Sequence, residues 1–315
     1  MTNPHVSIVV PAYNAARTIG VMIQSVLAQT FTDFELIICD DASTDDTASC
    51  VMAFDDCRIR LLRSPSNSGE GFARNAAIEA ARGKWVAVLD ADDAWQPSRL
   101  EVLLAAARED IDVMVFDNIL ICHDTDSGLI PWRNLRKSGA FGERCGEPTE
   151  VSFSEYVQAE RLLIKPLIPR DWIVRTGVKH TQRKFAADSE FFINLALEGL
   201  GFRYLPQAHY LYRISPGSAT ARAKGHHLMR DVLEEIASRA DLSYEHREAI
   251  ERKIDTLRIN ERLYDFAECI YGGEILAALR TLKESPMLFK VAPKRASSHL
   301  AYQLHRLRHR GSRWR

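Results

Sequence analysis

Trp85–Trp95 reads WVAVLDADDAW: an apolar run that breaks into three carboxylates, Asp90, Asp92 and Asp93, and then returns to tryptophan. A short continuous apolar run bounded by polar residues marks a strand buried on both faces. Three like charges crowded at its end repel one another unless something positive compensates. Two readings of DADD stay open on the residues alone. Aspartate is common where strands end, because it forms local side-chain turns and caps helices. The other reading is a site for a hard divalent cation, Mn2+ or Mg2+, whose shell is completed by one or two carboxylates and a substrate diphosphate. The D-x-D spacing favours the cation, since an extended backbone would send Asp90 and Asp92 to the same side.

Working outward, the first half alternates strand and helix. VSIVV (6–10), ELIIC (35–39), RIRLL (58–62), WVAVL (85–89) and DVMVF (ending at Phe116) are short β-branched or apolar runs. Between them, Ile19, Met22, Ile23, Val26 and Leu27 recur at helical spacing, and further helices are expected over about 45–54, 72–82 and 97–108. Apolar strands alternating with amphipathic helices predict an α/β fold, a mostly parallel sheet with helices on both faces. Ligands of such sheets bind at the carboxyl ends of strands. PAYN, DDAS and DADD each fall at such an end. The middle is less regular: HDTDSG and RKSGAFGERCGEPTE read as loops or a lid, a helix returns at about 188–199, and FRYLP and YLYRI read as two short strands. From about 224 the chain reads as helical, with Met229, Val232, Leu233 and Ile236 forming one stripe and Ile250, Ile254 and Leu257 another. These patterns divide the chain into 1–220, with halves 1–117 and 118–220, and a helical region 221–315 with a basic tail.

Composition narrows the function classes. The chain has 315 residues, 46% hydrophobic and 26% charged, with a net charge of −1, which argues against nucleic acid as a partner. The charge is uneven: no acidic residue follows Glu284, while Lys290, Lys294, Arg295 and five later arginines do. The six cysteines lack C-x-x-C spacing and read as reduced thiols of a cytoplasmic protein. The opening MTNPHVSIVVPAYN has neither a basic n-region nor a long apolar h-region, so no signal peptide is expected. No apolar run reaches the roughly 18–20 residues that span a bilayer.

Other motifs also carry two readings. DDASTDD (40–46) is in part a helix cap. SGEGFARN has G-x-G without a third glycine and does not follow a strand directly, so it is a poor dinucleotide fingerprint. Asp188, in KFAADSEFF, reads on its own as an N-cap, with Glu190 a rival carboxylate.

Taken together, VSIVVPAYNAARTIGVMIQSVLAQTFTDFELIICDDASTDDT (6–47) and GFARNAAIEAARGKWVAVLDADDAWQPSRLE (71–101) resemble the nucleotide-binding half of a family 2 glycosyltransferase with the GT-A fold. The resemblance implies that Pro11, Ala12, Tyr13 and Asn14 line the base and ribose of a UDP-sugar, and that Asp41 accepts a hydrogen bond from uracil. It maps the family's D-x-D onto Asp90 and Asp92: Asp92 is the direct ligand of Mn2+ or Mg2+, Asp90 lies nearer the ribose, and Asp93 supports them. Arg74, in FARN, becomes a charge partner for these acids. Asp188 takes the place of the catalytic base, although the acid that usually precedes it is Ala187 here. YRISPGS (212–218) resembles the late loop that closes on the donor, with Ser215 where many relatives have histidine.

The implied reaction is an inverting transfer of a hexose, with glucose the expected sugar, from UDP to a hydroxyl of a growing, lipid-linked exopolysaccharide or other surface-glycan intermediate. The implied location is the cytoplasm, with the basic tail resting on anionic lipid at the inner face of the membrane. Two other classes are weighed against it. A non-catalytic sugar-nucleotide-binding protein would keep Asp41 and DADD but not the base. A nucleotidyltransferase should carry a glycine-rich N-terminal loop, which VVPAYNAARTIG lacks.

Overall fold

The computed structural model describes residues 3–125, 128–137, 141, 146–214, 225–271 and 274. The basic tail and residues 215–218 of the late loop lie outside the described residues. The first half alternates as β1 (Val6–Ala12), α1 (Ile19–Leu27), β2 (Phe34–Asp40), α2 (Thr47–Met52), β3 (Ile59–Arg63), α3 (Glu70–Glu79) and β4 (Trp85–Val88). Every residue of β1, β2 and β4 is buried, and β3, β2, β1 and β4 lie side by side in parallel pairing. Side-chain alternation splits the apolar strands between two layers. Ile8, Val10, Leu36, Ile38 and Ala87 pack with α1 on one face, while Val9, Ile37, Val86 and Val88 pack with α3 on the other. Because both faces are covered, these strands carry no polar alternation, which is why they read as apolar runs. α1 buries Ile19, Met22, Ile23 and Val26, the stripe expected from the sequence.

The second half completes the sheet with β5 (Ala94–Trp95), α4 (Arg99–Ala107), β6 (Val113–Thr125), β7 (Gly128–Asn134), β8 (Thr149–Val151), α5 (Phe153–Gln158), β9 (Leu167–Pro169), α6 (Arg170–Thr176), α7 (Ala187–Leu197) and β10 (Gly201–Ile214). The order across the sheet is β3-β2-β1-β4-β9-β6-β10-β5, with β7 on β6 and β8 on β10. The long β6–β10 pairing is parallel, whereas β9 enters antiparallel between β4 and β6. Then α8 (Gly225–Ala237) and α9 (Tyr244–Tyr271) pack against each other, and α9 also packs against α5, placing Val232, Leu233, Ile236, Ile250, Ile254 and Leu257 in the core. Among the described residues, no helix is long and apolar enough to cross a membrane.

Two expectations for the middle are corrected. HDTDSG is not wholly a loop: β6 runs on to Thr125, which pairs with Gly128 of β7, because Ile119 and Ile121 are buried and β10 supplies a partner along most of its length. FRYLP and YLYRI are one strand. Pro206, which has no N–H to give the ladder, falls inside register shifts between Leu205 and Tyr210 instead of ending the strand.

Candidate active site

The carboxyl edges of β1 and β2 are joined by local hydrogen bonds. Pro11 and Ala12 end β1 buried, while Tyr13 stands 51% exposed and Asn14 turns into the left-handed region at φ 49°. The Asn14 amide donates to Ser43 Oγ (2.9 Å), and Asn14 Oδ1 accepts from the Thr44 amide (2.9 Å). Ala15 N donates to Thr47 Oγ1 at 2.8 Å. The capping part of DDASTDD falls to Asp45, which accepts from the Thr47 amide at the start of α2 (3.0 Å) and from Ala16 N (3.1 Å). Asp41 is buried, and its carboxylate accepts from Ser68 N (2.9 Å) and Gly69 N (2.7 Å), the turn that opens α3. A carboxylate has about four acceptor positions, so these contacts leave Asp41 able to accept a further donor.

At the end of β4 the chain does not stay extended. Asp93 N donates to Asp90 O at 3.2 Å, and the resulting turn sends the three acids in different directions, which corrects the expectation that Asp90 and Asp92 share a side. Asp90 faces inward: Oδ1 accepts from Arg74 Nη2 (2.8 Å) and Oδ2 from Lys165 Nζ (2.6 Å). Asp93 is buried and structural, accepting from Tyr210 Oη (2.7 Å) and the Arg213 amide (2.8 Å) and so tying the turn to β10. Burial, followed by the charges of Asp92 and Asp90, holds its carboxyl well above the usual range. Asp92 stands exposed at the rim. Crowding by protein atoms strips water from its carboxyl, and with Asp90's charge this pushes it up to about 6. Among the described residues, no group of three or more His, Cys, Asp or Glu could hold a metal. The edge offers one outward carboxylate, Asp92, and a single carboxylate can serve a cation whose shell is completed by diphosphate and water.

Asp188 meets this edge from the other side. It lies in the first turn of α7, where Ala186 (φ 64°) is the N-cap, so the N-cap reading of Asp188 is corrected. Its side chain instead pairs with Arg74 Nη1 and with Lys165 Nζ (2.8 Å). The result is an alternating ring, Asp90–Arg74–Asp188–Lys165, with Glu70 also on Arg74 (2.5 Å). Burial alone would raise the Asp188 carboxyl, but Arg74 and then Lys165 hold it well below the ordinary range. Burial would likewise weaken the charge on Lys165, and Asp188 and Asp90 overturn that and keep it protonated. His180 stacks on Phe191 (3.9 Å between centroids, 15°) with Nε2 3.5 Å from Asp188, and burial pushes it down to about 4. Glu190, the rival acid, is committed elsewhere, to Thr181 Oγ1 (2.6 Å) and Arg183 Nε (3.1 Å).

The structure thus brings Arg74, Asp90 and Asp188 together, with Asp92 beside them and Pro11–Asn14 and Asp41 on the neighbouring strand ends. Sequence reasoning missed Lys165 and His180. The signal for Lys165 was present: a single charge inside the apolar run LLIKPLIP, and a lysine is almost never fully buried unless it is paired. Close backbone approach supports the ring. A Cβ on Gly71 in α3 would lie 2.1 Å from the Thr181 carbonyl oxygen, so only glycine lets α3 approach the segment leading into α7.

Comparison with known proteins gives the family and the fold. A family model described as Glycosyl transferase family 2 matches residues 7–156. The chain is 32% identical over 225 residues to the succinoglycan biosynthesis protein ExoO of Rhizobium meliloti, covering 68% of this chain and 62% of that protein. It is 45% identical over 100 residues to the Escherichia coli UDP-Glc:alpha-D-GlcNAc-diphosphoundecaprenol beta-1,3-glucosyltransferase WfgD, covering 32% and 40%. The match spans less than two thirds of the length of either relative. Among solved structures, S. aureus TarS 1-349 in complex with UDP-GlcNAc superposes with a TM-score of 0.67 at 22% identity, covering 89% of this chain and 80% of that one. The mannosyltransferase PcManGT from Pyrobaculum calidifontis, in complex with GDP-Man and Mn2+, gives 0.60 at 17%, covering 96% and 86%. The fold is that of these GT-A neighbours.

Proposed function

The chain belongs to glycosyl transferase family 2, and on that premise we propose that it transfers a hexose from a UDP-sugar to a hydroxyl of a lipid-linked intermediate in bacterial surface-polysaccharide synthesis. The observation that carries this reading is the convergence of Asp188 and Asp90 on the shared cations Arg74 and Lys165, with Asp92 exposed beside them at the sheet edge where α/β ligands bind. Pro11–Asn14 and Asp41 would hold the uridine, with Tyr13 offering an exposed ring to the base. Asp92 is the residue that would hold Mn2+ or Mg2+; when bound, the ion supplies charge neutralisation to the departing diphosphate. Asp90, engaged by Arg74 and Lys165, serves the ribose side and is not a direct ligand in this reading.

Asp188 acts as the base. Held below the ordinary range by Arg74 and Lys165, its carboxyl is ionised at neutral pH and free of a proton, and as a weak base it takes the acceptor's proton only as bond formation acidifies that hydroxyl. The acceptor oxygen attacks the anomeric carbon as the bond from that carbon to the diphosphate oxygen breaks. Asp188 takes the acceptor's hydroxyl proton, and UDP departs with the electron pair. One in-line displacement inverts the centre, so an α-linked donor yields a β-glycoside. Glucose and an undecaprenyl-linked acceptor are proposed because the relative WfgD is named for both. A place at the inner face of the membrane follows from that acceptor and from the basic tail.

Calorimetric titration with UDP, with and without Mn2+, tests the donor site in wild type and Asp92→Asn. Binding that requires both the ion and Asp92 is expected. Equal binding in all four combinations would overturn the role of Asp92, and no binding to wild type would overturn UDP as the nucleotide.

A further inference from the structure

Lys165 is held with more care than a fortuitous ion pair would need. It sits two residues before β9, whose antiparallel register against β4 (Ala87 opposite Leu167) carries it alongside the end of β4. Two buried arginines fix the backbone that bears it. Arg99 lies between Trp95 and Tyr210, pairs with Asp117 (2.8 Å), and donates from Nη2 to the Lys165 carbonyl at 2.5 Å. Arg136 donates from Nη2 to the carbonyls of Arg161 (3.1 Å) and Leu163 (2.8 Å), and is itself held by Asn118, which accepts from its amide (3.0 Å) and donates to its carbonyl (3.0 Å). Neither arginine touches the carboxylates of the ring among the described contacts. What they have in common is the position of Lys165.

At the far end of that side chain, Nζ lies 2.6 Å from Asp90 and 2.8 Å from Asp188, and the residue is 2% exposed. Arg74 alone would leave Asp90 and Asp188, with Glu70, sharing one guanidinium. A second cation, bonded to both Asp90 and Asp188, fixes the base relative to the acid at the end of β4. We propose that Lys165 is a positioning residue for the transfer: its ammonium, fixed between Asp90 and Asp188, sets where the base stands relative to the donor. This rests on the transferase reading. Lys165 acts through Asp188 and removes no proton itself.

The test follows UDP release by the full chain from UDP-glucose, or from whichever member of a UDP-hexose panel wild type consumes, with GlcNAc-diphosphoundecaprenol as the acceptor. Lys165→Met is expected to lower kcat about 100-fold while donor KM stays within about threefold, because misplacing a base costs rate more than ground-state binding. Lys165→Arg, which keeps the charge, is expected to recover about tenfold of that loss. In an Asp188→Asn background, Lys165→Met should add less than about a twofold further loss, since its target is already gone. Wild-type kcat in Lys165→Met, or a full multiplicative loss in the double variant, overturns the positioning role while a crippled Asp188→Asn leaves the base reading standing. An Asp188→Asn variant that turns over like wild type, or a wild type that consumes no donor, overturns the transferase reading and this inference with it. Where Lys165→Met does not fold, Lys165→Gln is put through the same comparisons with the same expected and overturning results.

Discussion

The carboxyl ends of β1 and β4 are neighbours in one sheet but are organised by different forces. At the β1–β2 end, Asn14, Ser43, Thr44, Thr47, Asp45 and Asp41 are joined mainly through backbone amides, over short distances and by one-to-one hydrogen bonds. At the β4 end, four charged side chains from four parts of the chain form a ring, and a fifth, Asp92, is left facing outward. The first arrangement is a shape into which a ligand fits. The second is a balance of charges, and any added or removed charge shifts every member.

That contrast orders the expected effects. Asp188→Asn should lower kcat about 1000-fold with UDP affinity unchanged, measured by turnover and calorimetry; a parallel loss of both would mean that the ring shapes the pocket instead of doing chemistry. Arg74→Met leaves Asp90 and Asp188 sharing Lys165 alone and is expected to cost about 3 kcal/mol of stability in denaturant unfolding. Asp92→Asn should weaken Mn2+-supported UDP binding about tenfold or more. The same binding in wild type should rise as pH goes up through about 6, because Asp92 must be ionised to hold the cation and its carboxyl sits there. At the β1–β2 end, Asp41→Asn is expected to cost about 1–2 kcal/mol through the Ser68 and Gly69 amides. Asn14→Ala should cost about 1 kcal/mol for a left-handed residue without its local partners, read as a small shift in Tm with kcat unaffected. A large kcat effect at Asn14 would erase the distinction between the two ends.

The sheet also predicts a pH signature of opposite signs. Asp188, held below the ordinary range, contributes stability that is fully present above about pH 4 and is lost as pH falls through its lower folded value. Asp93, held above that range, contributes stability that is present at low pH and lost as pH rises through its folded value. Asp188→Asn should therefore flatten the acid limb of the stability curve, and Asp93→Asn the limb above it, both read from denaturation midpoints against pH.

Legibility in the sequence followed the range of the interactions. β1, β2 and β4 could be read because parallel strands covered on both faces leave continuous apolar runs, and α1 because its stripe is local. Arg74, Asp90, Asp92 and Asp188 could be singled out because they lie in motifs whose order matches a known family. The turn at Asp90–Asp93 could not, since the same residues would serve an extended chain, and what bends them is Asp93's contact with Tyr210 and Arg213, more than a hundred positions away. Lys165 was hidden for the same reason: its role depends on β9 inserting antiparallel beside β4, which no local pattern announces. β10 looked like two strands because Pro206 is a strand breaker in isolation and a bulge only when β6 lies alongside.

The ring's membership bears on how such chains can be recombined. Asp90 and Arg74 lie within residues 7–156, which the family model matches, whereas Lys165 and Asp188 lie beyond them. Exchanging everything after β6 with a relative would replace two of the four charges. A crossover placed there inherits half a balance, so viable hybrids of this scaffold should carry the segments around Lys165 and Asp188 with the first half and take only what surrounds them from elsewhere.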